Sequence, residues 1–193
     1  MKLFLLRHGQ TEGSLRRLYY GATDLPLLPE AVEALRRDRA RYPTAPHYYT
    51  SGLLRTEQTL AALYGDVPHT ALRGLRETDF GDFEMHGYEE LKQRADYQAW
   101  LSDPEKRRCP NGESADDVRA RSLAALAPLL ARGEDCLCVT HGGVIAVLMM
   151  HWFGGSRYDY SVPAGGGYGI TFRAASPVAY RPLFPTHNKA KNE

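Results

Sequence analysis

The sequence predicts an α/β fold with a largely parallel sheet and helices on both faces. Apolar runs at residues 3–6 and 136–139 lack polar alternation, which is typical of strands buried on both faces of a parallel sheet. Helical patterns separate such runs along the chain, and this alternation favours an α/β architecture. A chain of 193 residues fits one domain, which we place at residues 1–184, followed by a polar tail at 185–193.

The first part of the chain contains a helix, a strand and an insertion. Residues 29–42 begin with a proline and carry many charges, so they predict a surface helix. Residues 48–50 predict a strand, after which Ser51 is the expected N-cap of the next helix. Residues 80–113 fit the alternation poorly. We interpret them as an insertion over the sheet with one helix near residues 88–101.

The second part of the chain predicts two helices and two strands. Ser114, with Asp117 three residues later, marks the start of a long helix, in which Pro128 is expected to kink or break the last turns. Residues 143–154 are apolar on almost every side and predict a buried helix. Residues 167–184 predict two strands around an Ala-Ser-Pro turn.

The charge balance and the cysteine content exclude several classes of function. Lys and Arg number 24 against 23 Asp and Glu, so no overall field points to nucleic acid or to an anionic membrane. Three cysteines do not indicate a disulfide framework, which favours a reducing cytoplasm. The apolar run before Arg7 is too short for a signal peptide, and no segment has membrane-spanning length. We therefore expect a cytoplasmic protein that binds neither nucleic acid nor membrane.

Polar side chains follow three predicted strands at the points where the strands end. Arg7 and His8 follow the first strand, Arg55 follows the strand at 48–50, and His141 follows the apolar run at 136–139. Ligands of open α/β sheets bind beyond the carboxyl ends of the strands, so we expect these side chains to meet in one crevice. Arginine forks match phosphate oxygens, and the glycines after His141 let backbone N–H groups approach an anion. The expected ligand is a phosphoryl group.

A histidine in such a pocket can act as a nucleophile toward phosphorus. Neighbouring arginines disfavour imidazolium and so keep the ring neutral, as attack requires. A transfer through phosphohistidine also needs a carboxyl group, which protonates the leaving alcohol and later activates water. Because phosphate monoesters hydrolyse very slowly without catalysis, several fixed donors are needed to stabilise the transition-state charge.

Five motifs in order carry a resemblance to a known family. They are LLRHGQTE at 5–12, SGLLRTEQT at 51–59, LRETDFGDFE at 75–84, PNGES at 110–114 and VTHGGVI at 139–145. Together they resemble the histidine phosphatase superfamily, also called the phosphoglycerate mutase-like family, in its small phosphatase branch. The resemblance implies a three-layer fold with a mixed, mostly parallel sheet and a small insertion over the carboxyl ends of the strands. It implies no metal and no cofactor.

The resemblance also assigns the chemical roles. His8 of the RHG motif corresponds to the phosphorylated nucleophile, and Glu77 of LRE corresponds to the proton donor for the leaving group. His141 of THGG corresponds to the second histidine, which hydrogen-bonds the phosphoryl group.

The remaining assignments concern phosphate binding. Arg7 and Arg55 correspond to the two arginines that hold phosphate oxygens, and Gly142 would offer its backbone N–H. Ser14 stands where the family often has an asparagine, and its shorter side chain is the expected substitute contact.

The leading hypothesis is a metal-independent phosphomonoesterase that hydrolyses a small phosphorylated metabolite through phospho-His8. A phosphoglycerate mutase-type phosphoryl transfer is one alternative, but those mutases carry a longer basic insertion, and here that segment holds only Lys106, Arg107 and Arg108. A non-catalytic phosphate-binding protein is the other. The motifs suit α-ribazole phosphate, fructose bisphosphates and sugar phosphates equally well as substrates, and a homodimer is left open.

Overall fold

A mixed six-stranded sheet organises the part of the chain that the computed structural model describes, residues 1–183. The predicted tail at 185–193 lies outside the described residues. The strands are β1 (Lys2–Arg7), β2 (His47–Thr50), β3 (His69–Ala71), β4 (Cys136–Thr140), β5 (Gly167–Arg173) and β6 (Ser176–Pro182), in the order β3-β2-β4-β1-β5-β6. Strands β3, β2, β4 and β1 run parallel to one another. Strand β5 is antiparallel to both of its neighbours, β1 and β6, so the predicted mixed, mostly parallel sheet is confirmed.

Helices cover both faces of this sheet. They are α1 (Glu12–Leu15), α2 (Pro29–Asp38), α3 (Leu54–Tyr64), α4 (Tyr88–Leu91), α5 (Ala95–Ser102), α6 (Ala115–Arg132) and α7 (Gly142–Phe153). Buried apolar residues of α6 and α7 share one cluster with one face of the sheet, and those of α2 and α3 share a second cluster with the other face. The predicted helix–sheet–helix layering is therefore confirmed. None of the helices within residues 1–183 has the length and apolar character that a membrane crossing demands.

The central strand β1 belongs to both clusters because its side chains alternate. Leu3 and Leu5 pack with α6 and α7, whereas Phe4 and Leu6 pack with α2 and α3. A strand that is covered on both faces needs apolar residues at every position, which explains the run without alternation in the sequence. The same rule applies to β4, whose two cysteines are buried and free.

Helix α6 starts as predicted but does not break at its proline. Ser114 accepts a hydrogen bond from the Asp117 amide, and Gly133 ends the helix with φ 74° and ψ 11°. Of the two outcomes predicted at Pro128, a kink or a break, the break is wrong, because α6 continues to Arg132. Pro128 is exposed, and so is Ala124, whose carbonyl loses its usual helical partner to the proline. Water can hydrogen-bond that carbonyl, so the helix tolerates the proline.

Two further expectations from the sequence are corrected, and one strand, β3, had no counterpart among them. Helix α3 begins at Leu54 with Leu53 as N-cap, not Ser51. Strand β3 has no apolar pattern because all its residues are exposed at the edge of the sheet. The turn between β5 and β6 consists of Ala174 and Ala175, at φ 46° and φ 60°, rather than Ala-Ser-Pro. Two residues with positive φ give a tight hairpin turn that matches the twist of the strands.

The insertion at 80–113 contains two short helices rather than the one expected. Leu91 in α4 and Trp100 in α5 are both buried in one small core with Phe83 and Tyr97. Nine residues of continuous helix make about two and a half turns, which would put Leu91 and Trp100 on opposite faces. An extended residue, Arg94, separates the helices and lets both side chains reach the same core.

Candidate active site

The carboxyl ends of three parallel strands bring the predicted residues to one edge of the sheet. Arg7 ends β1 and pairs in register with Thr140, which ends β4. The next residues along the chain, His8 and His141, therefore lie side by side, with ring centroids 5.2 Å apart. Strand β2 pairs with β4 on its other side and brings Arg55 into the same place through the start of α3.

The His8 imidazole is buried, neutral and fixed in one tautomer. Its exposed fraction is 2%, and its Nδ1 lies 2.6 Å from the carbonyl oxygen of Gly9. Because a carbonyl can only accept, Nδ1 carries the proton and Nε2 keeps its lone pair. Burial, followed by the positive charges of Arg55 and Arg7, lowers the pKa of His8 to about 3. The ring is therefore an available nucleophile at neutral pH.

His141 is a second buried, neutral histidine. The Arg55 Nε–H donates to its Nδ1 at 3.3 Å, so Nε2 carries the proton and donates to the Ser51 hydroxyl at 2.8 Å. Burial and then the Arg55 charge hold the pKa of His141 well below its usual value. Sequence reasoning assigned Ser51 to a helix cap. Ser51 instead accepts from His141, and the signal for that role was its place at the start of the SGLLR motif, which also contains Arg55.

The Arg55 guanidinium is fully buried and held by backbone carbonyls. Its Nη1 donates to Thr23 O and its Nη2 donates to Gly21 O, both at 2.9 Å. The guanidinium carbon also lies 5.0 Å from the centre of the Tyr20 ring, a distance suited to a cation–π contact. A buried charge with this many partners is fixed in orientation.

The loop that holds Arg55 is itself fixed by a carboxylate. Glu84 Oε1 accepts from the amides of Gly21 (2.8 Å) and Ala22 (3.1 Å), and Oε2 accepts from the Thr23 amide (3.1 Å) and hydroxyl (2.6 Å). A Cβ at Gly21 would collide with the carbonyl of Thr78, so only glycine allows this approach. Sequence reasoning did not identify Glu84, although it closes the LRETDFGDFE motif.

The Glu77 carboxylate caps the start of α7. Its Oε1 accepts from the Thr78 amide at 2.9 Å, and its Oε2 accepts from the Gly143 amide at 3.1 Å. A Cβ at Gly143 would collide with this carboxylate, which explains the second glycine of the THGG motif. The carboxyl predicted from the LRE motif therefore lies beside the histidine that precedes α7.

Arg7 presents a donor that no residue within 1–183 accepts. Its Nη1 donates to Val162 O at 2.7 Å, but its buried Nε has no partner there. Buried donors are normally paired, so this N–H is available to an anion. Gly142 lies against the same guanidinium, and a Cβ at that position would come within 3.4 Å of it.

Ser14 is the predicted residue whose hydroxyl is hydrogen-bonded to its own chain neighbourhood. Its hydroxyl donates to Thr11 O and accepts from the Thr11 amide, both at 2.8 Å. Thr11 in turn accepts from the Ser14 amide, so the pair forms the N-terminal cap of α1.

A cavity of about 390 Å³ opens beside these residues. Its inner part is lined by Arg7, Glu77, Thr78, Gly142 and Gly143. His8 and His141 are the chain neighbours of Arg7 and Gly142; both are buried and are not themselves among the lining residues. The outer walls come from the insertion and from the short helix Arg157–Tyr160. Residues 1–183 contain no cluster of three or more His, Cys, Asp or Glu side chains placed to hold a metal ion.

The fold and this group of side chains define an α/β protein with an anion-accepting pocket at the carboxyl edge of its sheet. Residues 3–163 match the histidine phosphatase superfamily (branch 1). The chain belongs to that superfamily, and the resemblance in the sequence motifs is confirmed.

Relatives with different activities have similar sequences. A 2,3-bisphosphoglycerate-dependent phosphoglycerate mutase of Methylobacterium radiotolerans is 32% identical over 198 residues, which cover 93% of this chain and 88% of that protein. An adenosylcobalamin/alpha-ribazole phosphatase of Salmonella typhimurium is 32% identical over 158 residues, which cover 77% of this chain and 78% of that protein.

Solved structures show the same fold. The alpha-ribazole phosphatase of Shigella flexneri superposes with a TM-score of 0.83 at 26% identity, over 92% of this chain and 93% of that one. A phosphoglycerate mutase of Thermus thermophilus superposes with a TM-score of 0.75 at 28% identity, over 93% of this chain and 98% of that one.

We predict that acid destabilises the fold through His8. The native ring binds a proton only near pH 3, whereas the unfolded chain binds one near pH 6.5, so the unfolded state holds more protons between these values. The stabilising contribution is therefore complete above pH 6.5 and is lost as the pH falls. It amounts to about 2 kcal/mol between pH 7 and pH 5.

Urea unfolding at pH 7 and pH 5 measures this effect. The His8→Gln variant should lose less stability than the wild-type chain between the two pH values, by about that amount. His141 acts in the same direction and stays in place in both proteins. An identical pH dependence in the two proteins would contradict the prediction.

Proposed function

We propose that this chain is a phosphomonoesterase that hydrolyses a small phosphate ester through a phosphohistidine on His8. One observation carries the proposal. The His8 ring is neutral and has a free Nε2, the charges of two arginines and a second neutral histidine lie beside it, and the Glu77 carboxyl caps the helix that follows that histidine. This set supplies the nucleophile, the charge stabilisation and the acid that phosphoryl transfer requires.

In the first step, the Nε2 lone pair of His8 attacks phosphorus and the bond from phosphorus to the alcohol oxygen breaks. The carboxylic acid of Glu77 gives its proton to that oxygen, so the alcohol leaves neutral. The Nδ1–H of His8 stays hydrogen-bonded to the Gly9 carbonyl, and this bond stabilises the positive charge that develops on the ring. The products of this step are phospho-His8, the alcohol and the Glu77 carboxylate.

In the second step, the Glu77 carboxylate takes a proton from water and the water oxygen attacks phosphorus. The bond from phosphorus to Nε2 breaks, which returns His8 to its neutral form and releases inorganic phosphate. Glu77 is again protonated and the cycle is closed. The same carboxyl group acts as acid in one step and as base in the other.

Fixed donors hold the phosphoryl oxygens in this proposal. Arg7 offers its unpaired Nε–H, Gly142 lies against the same guanidinium, and Arg55 lies beside His141. In this structure His141 Nδ1 accepts from Arg55 and Nε2 donates to Ser51. When a bound phosphoryl oxygen takes the Arg55 Nε–H, the Ser51 hydroxyl can donate to Nε2 and His141 can offer an Nδ1 proton to that oxygen. These groups supply positive charge without a metal. We leave Ser14 out of the set because its hydroxyl is engaged with Thr11.

A mutase is the second candidate, since phosphoglycerate mutases are among the relatives. A phosphoglycerate carries a carboxylate, which needs a cation in the cavity once the phosphate is bound. Besides Arg7, the lining offers Arg157, whose Nε is paired with Glu105 at 3.0 Å. Lys106, Arg107 and Arg108 do not line the cavity. Hydrolysis therefore has the better support.

The first test measures inorganic phosphate release from a panel of phosphomonoesters, with a chelator present. The wild-type chain should release phosphate, and His8→Ala should reduce release to background because the nucleophile is gone. Acid-labile ³²P on the wild-type protein after a rapid quench would identify the phosphohistidine. Phosphate release that persists in His8→Ala would refute the mechanism. Isomerised phosphoglycerate without phosphate release would favour the mutase.

A second prediction concerns Glu77. Glu77→Gln should lower kcat/KM for alkyl phosphates by about 10²–10⁴-fold, because their alkoxide needs a proton to leave. The loss should be smaller for 4-nitrophenyl phosphate, whose leaving group needs little help.

Glu33→Gln is the matched control, since that carboxylate is exposed on α2 away from the cavity. It should leave both activities unchanged. Equal losses on the alkyl and aryl esters in Glu77→Gln would remove Glu77 from the role of acid.

A further inference from the structure

The outer walls of the cavity differ in chemistry from its inner part. The outer walls include the aromatic residues Tyr19, Phe80 and Trp100, and the short helix Arg157–Tyr160 adds Tyr158, with Val162 also in the lining. These side chains are aromatic or aliphatic, whereas the inner lining is charged or backbone. A phosphate ester bound with its phosphoryl group at His8 would place its alcohol between these walls.

The aromatic wall is rigid. The rings of Tyr19 and Trp100 meet edge to face with centroids 5.6 Å apart, and those of Phe80 and Trp100 do so at 6.4 Å. The Tyr19 hydroxyl is hydrogen-bonded to that of Tyr97 at 2.7 Å, and Tyr97 is buried in the core of the insertion. A preformed aromatic surface stacks on a planar group with little loss of side-chain entropy.

The cavity lining also includes a tyrosine that is largely exposed. Tyr158 is 82% exposed in the short helix Arg157–Tyr160. A tyrosine this exposed at the mouth of a cavity is available to a ligand and contributes little to the core.

Charges on these walls are already paired. Arg157 is bound to Glu105, and Glu113 accepts two hydrogen bonds from Arg121, each 2.8 Å long. Apart from Arg7, whose buried Nε has no partner within residues 1–183, Arg157 is the cation of the lining, and it already pairs with Glu105. A second phosphate or a carboxylate on the alcohol would therefore meet no free cation and would lose its hydration.

We infer that this site selects phosphomonoesters with a single phosphate whose alcohol carries an uncharged planar ring, such as the base of a nucleoside. The inference rests on the proposed function and assigns Trp100 and Tyr158 as specificity-determining residues. A volume of about 390 Å³ is within the range of pockets that bind small organic molecules of this size.

The test compares adenosine 5′-monophosphate with ribose 5-phosphate, in which the same primary 5′ oxygen leaves. Stacking of the base should raise kcat/KM by about tenfold or more for the nucleotide. Fructose 1,6-bisphosphate should be a poorer substrate than fructose 6-phosphate, because its second phosphate finds no cation.

Two variants assign the preference to the walls. Tyr158→Ala and Trp100→Leu should each lower the ratio of nucleotide to sugar phosphate, mainly through KM, while Tyr158→Phe retains it. Tyr88→Ala is the matched control. Like Tyr158, Tyr88 is an exposed tyrosine, but it lies in the insertion and does not line this cavity. It should leave the ratio unchanged. Thermal unfolding of Trp100→Leu confirms that the variant is folded before it is assayed.

The outcomes separate the inference from the proposed function. Equal kcat/KM values for nucleotide and sugar phosphate, or a preference for the bisphosphate, would overturn the substrate class while phosphate release still supports the phosphatase. A preference that survives both Tyr158→Ala and Trp100→Leu would overturn the assignment to these walls. Failure of the wild-type chain to release phosphate from every ester, with no label on His8, would refute the proposed function and the inference together.

A second, independent observation concerns the segment that carries Glu77. Arg121 of α6 donates to three carbonyls of that segment: from Nη1 to Gly74 O and Arg76 O, both at 2.7 Å, and from Nη2 to Glu77 O at 3.0 Å. Its Nε and Nη2 also bind the two oxygens of Glu113. Glu113 Oε2 accepts from the Asp79 amide at 3.0 Å, so the pair holds both ends of residues 74–79.

The geometry points to Arg121 and Glu113 as positioning residues for the Glu77 carboxyl. Neither touches the reacting atoms of the proposed reaction. They act by fixing the backbone from which the Glu77 side chain reaches the start of α7. Lysine carries the same charge but cannot replace a planar fork that binds three carbonyls and a carboxylate at once.

The test uses leaving-group dependence as a readout that a loss of folded protein would not change. Arg121→Lys should lower kcat/KM for an alkyl phosphate about tenfold more than for 4-nitrophenyl phosphate, because a misplaced acid matters only where the leaving group needs a proton. Arg119→Lys is the control on the same helix, since Arg119 is exposed and pairs with Asp116. It should leave both rates unchanged. Equal losses on the two esters in Arg121→Lys would overturn the positioning role.

Discussion

The buried positive charge of Arg55 is the interaction on which the site depends. A guanidinium without solvent needs acceptors in several directions, and the structure supplies two carbonyls of the loop at 21–23 and the Nδ1 of His141. That loop is rigid because Glu84 binds three of its amides. The same charge, together with burial, keeps both histidines neutral. One buried cation therefore fixes the loop, the tautomer of one histidine and the protonation state of the pair.

The sheet and the insertion supply separate parts of the cavity. The carboxyl ends of β1 and β4 place Arg7, His8 and His141, and their spacing follows from strand pairing. The insertion supplies Phe80 and Trp100, which stand away from the histidines in the outer wall. In the proposed function, phosphoryl chemistry rests on residues at the ends of the central strands, whereas recognition of the alcohol rests on a segment with its own small core. This division accounts for relatives that share the fold and the motifs but are named for different reactions.

Much of the fold and most of the candidate site could be predicted because the signals are local. The apolar run of β1, the cap at Ser114 and the order of the motifs lie within a few residues each, and periodicity or turn chemistry makes them readable. Errors occurred where a local signal competed with a tertiary one. Ser51 resembles an N-cap, yet its hydroxyl binds His141, 90 residues away. The insertion resembles one helix, but burial of Leu91 and Trp100 in the same core requires two.

By itself, the sequence determined the α/β class, the strand ends and which residues gather at the carboxyl edge of the sheet as candidates for phosphate binding. Strand periodicity and the topology of parallel sheets make these consequences of short stretches of chain. Only the tertiary structure decided what holds those residues in place and what surrounds the rest of a substrate. Arg121 reaches Gly74 across 47 residues, and Trp100 meets Tyr19 from another segment. Such contacts leave no local pattern in the sequence, because they arise from the packing of segments that are distant along the chain.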